Sequence, residues 1–218
     1  MNPAKRYVLV EGHGEIGAME NLLTRMSHRI ADFIPWARPL RWVNLHQWES
    51  DKHGGVRNGV EHIRLKDDAA SLLIVRDEDD GCPREIAPAL ARQIRTLETP
   101  FPVAYVLLKP EYEVLFLPCI GAMCDALPDG RQGLRPGTRW DGVTWEARRG
   151  IKEWLSGHFP KGRSYKPTLD QLPFTRKINL DDLAAADVPC FGTLQRALAF
   201  LAHPECEAGD VYPADEAP

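Results

Sequence analysis

The sequence predicts an α/β protein with a mainly parallel β-sheet flanked by helices, followed by a helical C-terminal extension. Short apolar runs without polar interruption are typical of strands buried on both faces, and segments with helical periodicity separate them. Beyond Glu111 the pattern becomes mainly helical. With 218 residues, of which 44% are hydrophobic and 27% charged, the chain can form one sizeable core, and a disordered, collagenous or coiled-coil protein is excluded.

The first half of the chain alternates predicted strands with predicted helices. The apolar run at residues 7–10 suits a buried strand, glycines follow it, and apolar positions then recur at helical spacing over residues 15–30. The further predicted elements are a strand at 40–45, a helix at about 59–67, a strand at 70–75, a helix at 84–97 and a strand at 103–108.

The second half is divided by its pattern and its charge. Helices are predicted at residues 113–127, 144–158 and 191–202. We predict a core over residues 1–127, a basic helical extension packed on it over 128–204, and an acidic, disordered tail over 205–218. Between residues 131 and 177 there are eleven basic and four acidic residues, which either face a polyanion or form a solvated surface.

The chain has no run close to the ~18–20 apolar residues that a membrane helix needs, so we expect a soluble, cytoplasmic protein with no membrane association. Its five cysteines are scattered and contain no Cys-x-x-Cys pair. This pattern indicates reduced thiols rather than disulfides or a zinc site.

Acidic residues follow two of the predicted strands. Glu11 comes directly after the first strand, and Asp77, Asp79 and Asp80 follow the strand at 70–75. The carboxyl ends of parallel strands line one crevice, where crowded carboxylates repel one another unless a cation such as Mg²⁺ or Mn²⁺ neutralises them. Residues two apart on an extended segment point to the same side, so Asp77 and Asp79 could share one metal, or a metal pair, with Glu78 pointing away. An ordinary turn before a helix remains the alternative.

A second motif overlaps the first acidic position. Gly12, Gly14 and Gly17 fit the G-x-G-x-x-G fingerprint of a Rossmann-type nucleotide binder. Glu11 and Glu15 would bring negative charge towards the pyrophosphate, and the second predicted strand is not followed by the acid that would bind the ribose. A nucleotide binder is therefore kept as an alternative function.

Three segments together carry a family resemblance. Val10-Glu11-Gly12 with Glu15, followed by Asp77-x-Asp79 after an apolar strand, resembles the Toprim domain of topoisomerases, primases and overcoming-lysogenization-defect nucleases. Lys109-Pro110-Glu111-Tyr112-Glu113-Val114-Leu115-Phe116 is similar to a segment of small Toprim-like proteins of the DUF4276 kind, which are often encoded with an ATPase, although Leu115 replaces their usual Trp. The segments that are similar to this group's C-terminal signature are Tyr165-Lys166-Pro167 and Cys190-Phe191-Gly192-Thr193-Leu194.

The resemblance implies a Toprim-like, Rossmann-like fold and a Mg²⁺-dependent (or Mn²⁺-dependent) nuclease that hydrolyses phosphodiester bonds of DNA or RNA. It implies that Glu11 is the catalytic acid or base and a metal ligand, and that Asp77 and Asp79 are metal ligands. A metal lowers the pKa of bound water while a carboxylate moves a proton, so these roles are chemically consistent. The resemblance also implies supporting acids at Glu15, Asp80, Glu111 and Glu113.

The basic extension suits a nucleic-acid partner, because Lys and Arg bind phosphates without reading sequence. Interleaved aromatic residues could stack on unpaired bases, although the helical spacing of Trp154 favours a core position. We expect DNA or RNA as the partner, and allow for a homodimer and for an ATPase partner in phage defence. A non-catalytic protein that binds nucleic acid or an ATPase is a further alternative. The predicted phosphate contacts are Arg148, Arg149, Lys161, Arg163 and Lys166.

Overall fold

The computed structural model describes residues 3–50, 53–142 and 144–214, and it confirms the α/β class. All pairings in its five-stranded sheet are parallel, and the strand order is β2-β1-β3-β4-β5. The strands are β1 (Lys5–Val10), β2 (Leu40–Arg41), β3 (Ala69–Asp77), β4 (Val103–Leu108) and β5 (Val211–Tyr212).

Helices cover both faces of the sheet. In the part of the chain that the structure describes, none of them is long and apolar enough to cross a membrane. The helical elements are α1 (Glu15–Arg29), α2 (Val56–Arg64), α3 (Pro83–Arg95), a 3₁₀ segment (Tyr112–Cys124), α4 (Ile151–His158), a π-helical turn (Pro167–Gln171), α5 (Leu172–Lys177), α6 (Leu180–Ala185) and α7 (Pro189–Ala202).

The sheet separates two hydrophobic clusters, because successive strand residues point to opposite faces. In β1, Val8 and Val10 pack into the cluster that includes α1 and the C-terminal helices. Tyr7 and Leu9 pack into the cluster that includes α2 and α3. Burial on both faces explains why the predicted strands appear in the sequence as continuous apolar runs.

The strand order places the candidate site. The chain passes from β1 to β2 on one side and then returns to β3 on the other side of β1, so the connections change direction between β1 and β3. Ligands of open α/β sheets bind at the carboxyl edge beside such a change of direction. Glu11 follows β1 and Asp77 ends β3 at this edge.

Three predicted elements are shorter or different in the structure. The strand predicted at 40–45 ends at Arg41, and Asn44 has a left-handed backbone with φ of 59°, which an extended strand cannot contain. The helix predicted at 113–127 is instead the 3₁₀ segment, which is broken at Cys119 just after Pro118. Proline cannot donate the backbone hydrogen bond that a continuous helix needs.

The helix predicted at 144–158 begins only at Ile151. Gly150 precedes it with φ of 71°, a left-handed conformation that cannot belong to the helix. The helical elements between Pro167 and Ala185 were not predicted, because all three are short and the first two contain a proline, which is typical of loops.

The acidic C-terminal segment contributes the fifth strand. Val211 and Tyr212 pair with Val103 and Ala104 of β4, and Arg95 of α3 donates a hydrogen bond to the backbone oxygen of Val211 at 2.9 Å. The prediction of a disordered tail from residue 205 is therefore wrong for this strand, because an apolar valine and backbone pairing offset the acidic composition. Residues 215–218 lie outside the described ranges.

Candidate metal centre

Three carboxylates meet at the carboxyl edge of the sheet. Asp77 ends β3, while Glu111 and Glu113 lie in the segment that follows β4. One oxygen of each side chain lies within 4.8 Å of the corresponding oxygens of the other two. We call Asp77, Glu111 and Glu113 the acidic triad.

Each member of the acidic triad is anchored through one carboxylate oxygen. Asp77 Oδ1 accepts the backbone N–H of Tyr112 at 2.8 Å, and Glu113 Oε1 accepts the Tyr165 hydroxyl at 2.8 Å. Glu111 Oε1 accepts the backbone N–H of Lys152 at 3.0 Å, which also supplies a hydrogen-bond acceptor to the first turn of α4. The second oxygen of each carboxylate is turned towards the Lys152 ammonium group.

Lys152 lies where the three carboxylates converge. Its Nζ is 2.8 Å from Glu111 Oε2, 3.5 Å from Asp77 Oδ2 and 3.5 Å from Glu113 Oε2. Burial lowers the pKa of Lys152, but the attraction of Glu113, Asp77 and Glu111 outweighs it and raises the pKa above its ordinary value. The lysine therefore stays protonated and neutralises part of the negative charge.

The acidic triad still carries more negative charge than its protein surroundings neutralise. Glu113 is fully buried, and its Oε2 atom has no hydrogen-bond partner in the structure. Burial raises the pKa of Glu113 to about 7, with Lys152 acting against this shift and Glu111 adding to it. Burial, followed by repulsion from Glu15 and Glu113, raises the pKa of Asp77 well above its ordinary value. A buried carboxylate oxygen without a partner is costly unless a cation or a proton occupies that side.

Glu15 is a fourth acid beside the acidic triad. It is buried in the first turn of α1, where its carboxylate lies against Gly12. Burial raises the pKa of Glu15, and the nearby charge of Glu11 adds to the shift while Lys152 opposes it. Since Glu15 also repels Asp77, it belongs to the same electrostatic site.

The glycine motif has a packing role in this structure. A Cβ atom on Gly12 would lie 2.5 Å from Glu15 Oε1, and one on Gly14 would lie 2.6 Å from the backbone oxygen of Pro167. A carboxylate thus already lies at the turn that a nucleotide phosphate would have to approach, and the π-helical turn closes over Gly14. The geometry argues against the nucleotide-binding alternative.

The structure does not assemble the predicted ligand set of Glu11, Asp77 and Asp79. Glu11 Oε1 accepts the backbone N–H of Leu45 at 2.7 Å and lies 3.9 Å from His46 Nδ1, on the β2 side of the crevice. Among the described residues, the group of carboxylates that lie close enough together to hold a metal ion contains Asp77 but neither Glu11 nor Asp79.

Asp79 is exposed because the loop after β3 is folded around Glu78. Glu78 does not simply point away, as the alternation predicted: its Oε2 pairs with buried Arg76 at 2.6 Å, and its Oε1 accepts the backbone N–H of Gly81 at 2.7 Å. This local turn leaves Asp79 in solvent. The alternation of side chains ends where the strand ends, at Asp77. Of the two acids in the Asp-x-Asp motif, only Asp77 therefore lies within the acidic triad.

Four of the five predicted phosphate contacts fall into two sets. Arg149 is exposed beside the site and pairs with Asp80, the remaining predicted supporting acid, while Lys161 and Lys166 are exposed further along the extension. Arg163, in contrast, pairs with the buried Asp170 at 2.6 Å and has a structural partner. Arg149, Lys161 and Lys166 therefore remain the better candidates for contacts with a polyanion.

Arg148 and the neighbouring aromatic residues pack on one another. The Arg148 guanidinium lies 5.3 Å from the Trp140 ring centroid and 5.8 Å from that of Trp154. Trp145 stacks on Trp140 and donates its indole N–H to the backbone oxygen of Ala186 at 2.8 Å. These contacts favour a structural role for the tryptophans over stacking on bases.

Lys152 is the residue of this site that sequence reasoning missed. It lies within the basic segment, but the predicted phosphate contacts are its neighbours on either side. No local pattern distinguishes it from the other basic residues of residues 131–177, because its role depends on the packing of α4 against the ends of β3 and β4.

Comparison with known proteins gives one family match. The family model described as "Domain of unknown function (DUF4276)" matches residues 10–199, which includes the acidic triad, Glu15 and Lys152. No curated protein and no solved structure matches the chain significantly.

Proposed function

We propose that this chain, which belongs to the DUF4276 family, is a divalent-metal-dependent hydrolase that cleaves phosphodiester bonds of DNA or RNA. The observation that carries the proposal is the convergence of three carboxylates, one of which is the fully buried Glu113, whose Oε2 atom has no hydrogen-bond partner.

The donor atoms fit a hard cation. The acidic triad offers carboxylate oxygens and neither thiolate nor imidazole, which favours Mg²⁺ or Mn²⁺ over Zn²⁺. Asp77, Glu111 and Glu113 would hold the ion through the oxygens that face one another. When bound, such an ion neutralises phosphate charge and lowers the pKa of a coordinated water.

The surrounding residues suit a polyanionic substrate. Arg149, exposed beside the site, together with Lys161 and Lys166, would bind the phosphate backbone without reading sequence. Glu11 is half-buried on the opposite side of the crevice, where its carboxylate could accept or return a proton. The resemblance to Toprim nucleases supports the same substrate class. Phage defence and an ATPase partner remain predictions.

The test is cleavage of plasmid and single-stranded substrates in Mg²⁺ or Mn²⁺ by the wild type and two variants, Asp77→Asn and Glu113→Gln. We expect each variant to lose more than about 100-fold in rate, because even the loss of an outer partner of a metal ligand costs about 10–100-fold. The measurement is the initial rate of nicking and of strand cleavage, with EDTA abolishing both.

Asp79→Asn is the matched control, because Asp79 lies two residues from Asp77 but is exposed and outside the acidic triad. It should keep most of the wild-type rate. Wild-type protein that hydrolyses neither substrate, or Asp77→Asn and Glu113→Gln variants that cleave as fast as the wild type, would contradict the proposal.

A second candidate function is a non-catalytic protein that binds nucleic acid or an ATPase. The observation that favours it is Lys152, since an ammonium group already paired with all three carboxylates can hold the site together without a metal. Binding of DNA or RNA that is unchanged by EDTA and accompanied by no cleavage would support this candidate over the hydrolase.

A further inference from the structure

The Lys152 ammonium group lies where a divalent ion bound by the acidic triad would lie. Its Nζ is within 3.5 Å of all three carboxylates of the acidic triad, and Glu111 is the closest at 2.8 Å. One oxygen of each carboxylate also lies within 4.8 Å of those of the other two, so the ammonium group and a metal ion would compete for the same three carboxylates. The lysine is held there from its own helix, because its backbone N–H also binds Glu111.

The charges show why an ammonium group alone leaves the site unsatisfied. The acidic triad has three carboxylates against one lysine, and Glu15 adds a fourth carboxylate nearby. The fully buried Oε2 atom of Glu113 is 3.5 Å from Nζ and has no hydrogen bond. This buried oxygen without a hydrogen bond is a second observation, independent of the number of acids, that indicates a cation site.

Lys152 has room to move when another cation arrives. Its side chain is 35% exposed, whereas the side chain of Glu113 is fully buried. A four-carbon side chain at the solvent boundary can keep its ammonium group in water while its stem stays in place. The acids are anchored through their other oxygens, so the acidic triad can keep its shape while the lysine leaves.

We propose that Lys152 is an internal counter-ion that a divalent metal ion must displace, so that this lysine weakens and thereby sets the metal affinity of the acidic triad. The inference rests on the proposed function only in taking the acidic triad as a metal site. Removal of a positive charge a few ångströms from a divalent ion strengthens binding, because like charges at that distance repel by several kcal/mol even at an effective dielectric constant of about 20.

The experiment is a titration of the full-length chain with Mn²⁺, followed by calorimetry and by the electron paramagnetic resonance signal of free Mn²⁺. Lys152→Met keeps the side-chain length and the backbone donor to Glu111 but removes the charge, and it should bind Mn²⁺ at least about tenfold more tightly than the wild type. Lys66→Met removes a lysine that lies just before β3, at the opposite edge of the sheet from the acidic triad, and it should leave the affinity within about twofold. Mn²⁺ should also raise the melting temperature of the Lys152→Met protein more than that of the wild type.

Equal or weaker Mn²⁺ binding by Lys152→Met would overturn the inference. If Lys152→Met fails to fold, Lys152→Gln is measured in its place, and failure of both variants to fold even in saturating Mn²⁺ would assign Lys152 a purely structural role and also overturn it. Tighter binding without cleavage of any nucleic acid would leave the inference standing and reject the hydrolase. Cleavage by the wild type, together with an unchanged Mn²⁺ affinity in Lys152→Met, would support the hydrolase and reject the inference. If neither the wild type nor Lys152→Met binds Mn²⁺, the hydrolase and the inference are both rejected.

Discussion

Glu113 shows how a single side chain links the core to the site. Its Oε1 atom accepts the hydroxyl of buried Tyr165, and its Oε2 atom faces the acidic triad. Burial raises the pKa of Glu113 from 4.5 to about 7, so it binds a proton over a pH range in which an unfolded chain would release it. A metal ion requires the ionised form, and metal affinity should therefore increase as the pH rises towards 7.

The pH dependence of stability follows from the same shift. Between about pH 4.5 and 7 the folded protein binds more protons than the unfolded chain, so the stability of the metal-free protein should fall as the pH rises through this range. The raised pKa values of Asp77 and Glu15 act in the same direction. We expect the melting temperature in EDTA to drop by at least ~3 °C from pH 5 to pH 8, and Glu113→Gln to flatten that slope.

Glu20→Gln provides the control for this measurement, since Glu20 is an exposed acid on α1. Its slope should match that of the wild type. A melting temperature that rises from pH 5 to pH 8, or a slope that Glu113→Gln leaves unchanged, would show that the buried glutamate is not the source of the effect.

At the scale of elements, the turn between β1 and α1 is a packing junction. Glu15 folds back over Gly12, and the π-helical turn of residues Pro167–Gln171 lies against Gly14. The close approach leaves no space for a side chain at Gly14, because a Cβ atom there would also lie 2.3 Å from Gln171 Oε1. The glycines therefore allow a C-terminal segment to close over the amino end of α1, beside the acidic triad.

Gly14→Ala should destabilise the protein by about 1–3 kcal/mol, because the added methyl group meets the backbone of Pro167 and forces the two segments apart. The measurement is the free energy of unfolding in urea. Gly157→Ala in α4 is the matched control: open space surrounds that position, and alanine should leave stability unchanged or raise it by up to ~1 kcal/mol. A Gly14→Ala protein as stable as the wild type would mean that the junction tolerates a side chain.

At the scale of the whole molecule, the C-terminal helices complete the core. Phe174 of α5 and Leu194 of α7 belong to the same buried cluster as Val8 of β1, Met19 of α1 and Val106 of β4. Residues of the predicted C-terminal extension thus bury one face of the sheet. Burial of several large side chains, each contributing about 1.5–3 kcal/mol, makes this contact a major part of the stability.

A chain ending at residue 127 should therefore fail to fold, although it contains four of the five described strands. Without α5 and α7, the apolar face of β1, β3 and β4 would be exposed to water. Near-ultraviolet circular dichroism and the dispersion of amide resonances measure the outcome, with the full-length chain as reference. A well-dispersed spectrum from residues 1–127 would show an autonomous core, and two separate unfolding transitions in the full-length chain would lead to the same conclusion.

The comparison of sequence and structure separates local from long-range information. Apolar runs longer than a helical turn predicted β1, β3 and β4, because a strand that is buried on both faces has apolar residues at consecutive positions. The acids after β1 and β3 could be placed at one edge because the carboxyl ends of parallel strands line one crevice. Short elements such as β5 and α6 leave too little periodicity to be recognised.

The sequence by itself determined the α/β class, the edge of the sheet at which carboxylates gather, and Asp77 as one of them. The family resemblance implied Glu111 and Glu113 as supporting acids. Only the tertiary structure decided that these two, rather than Glu11 and Asp79, complete the carboxylate group, that Asp79 turns to solvent, and that Lys152 enters the site. The physical reason is that a side chain after the end of a strand follows the hydrogen bonds of its loop rather than the alternation of the strand. Those bonds come from residues distant in the chain: Tyr165 holds Glu113, and the first turn of α4 holds Glu111.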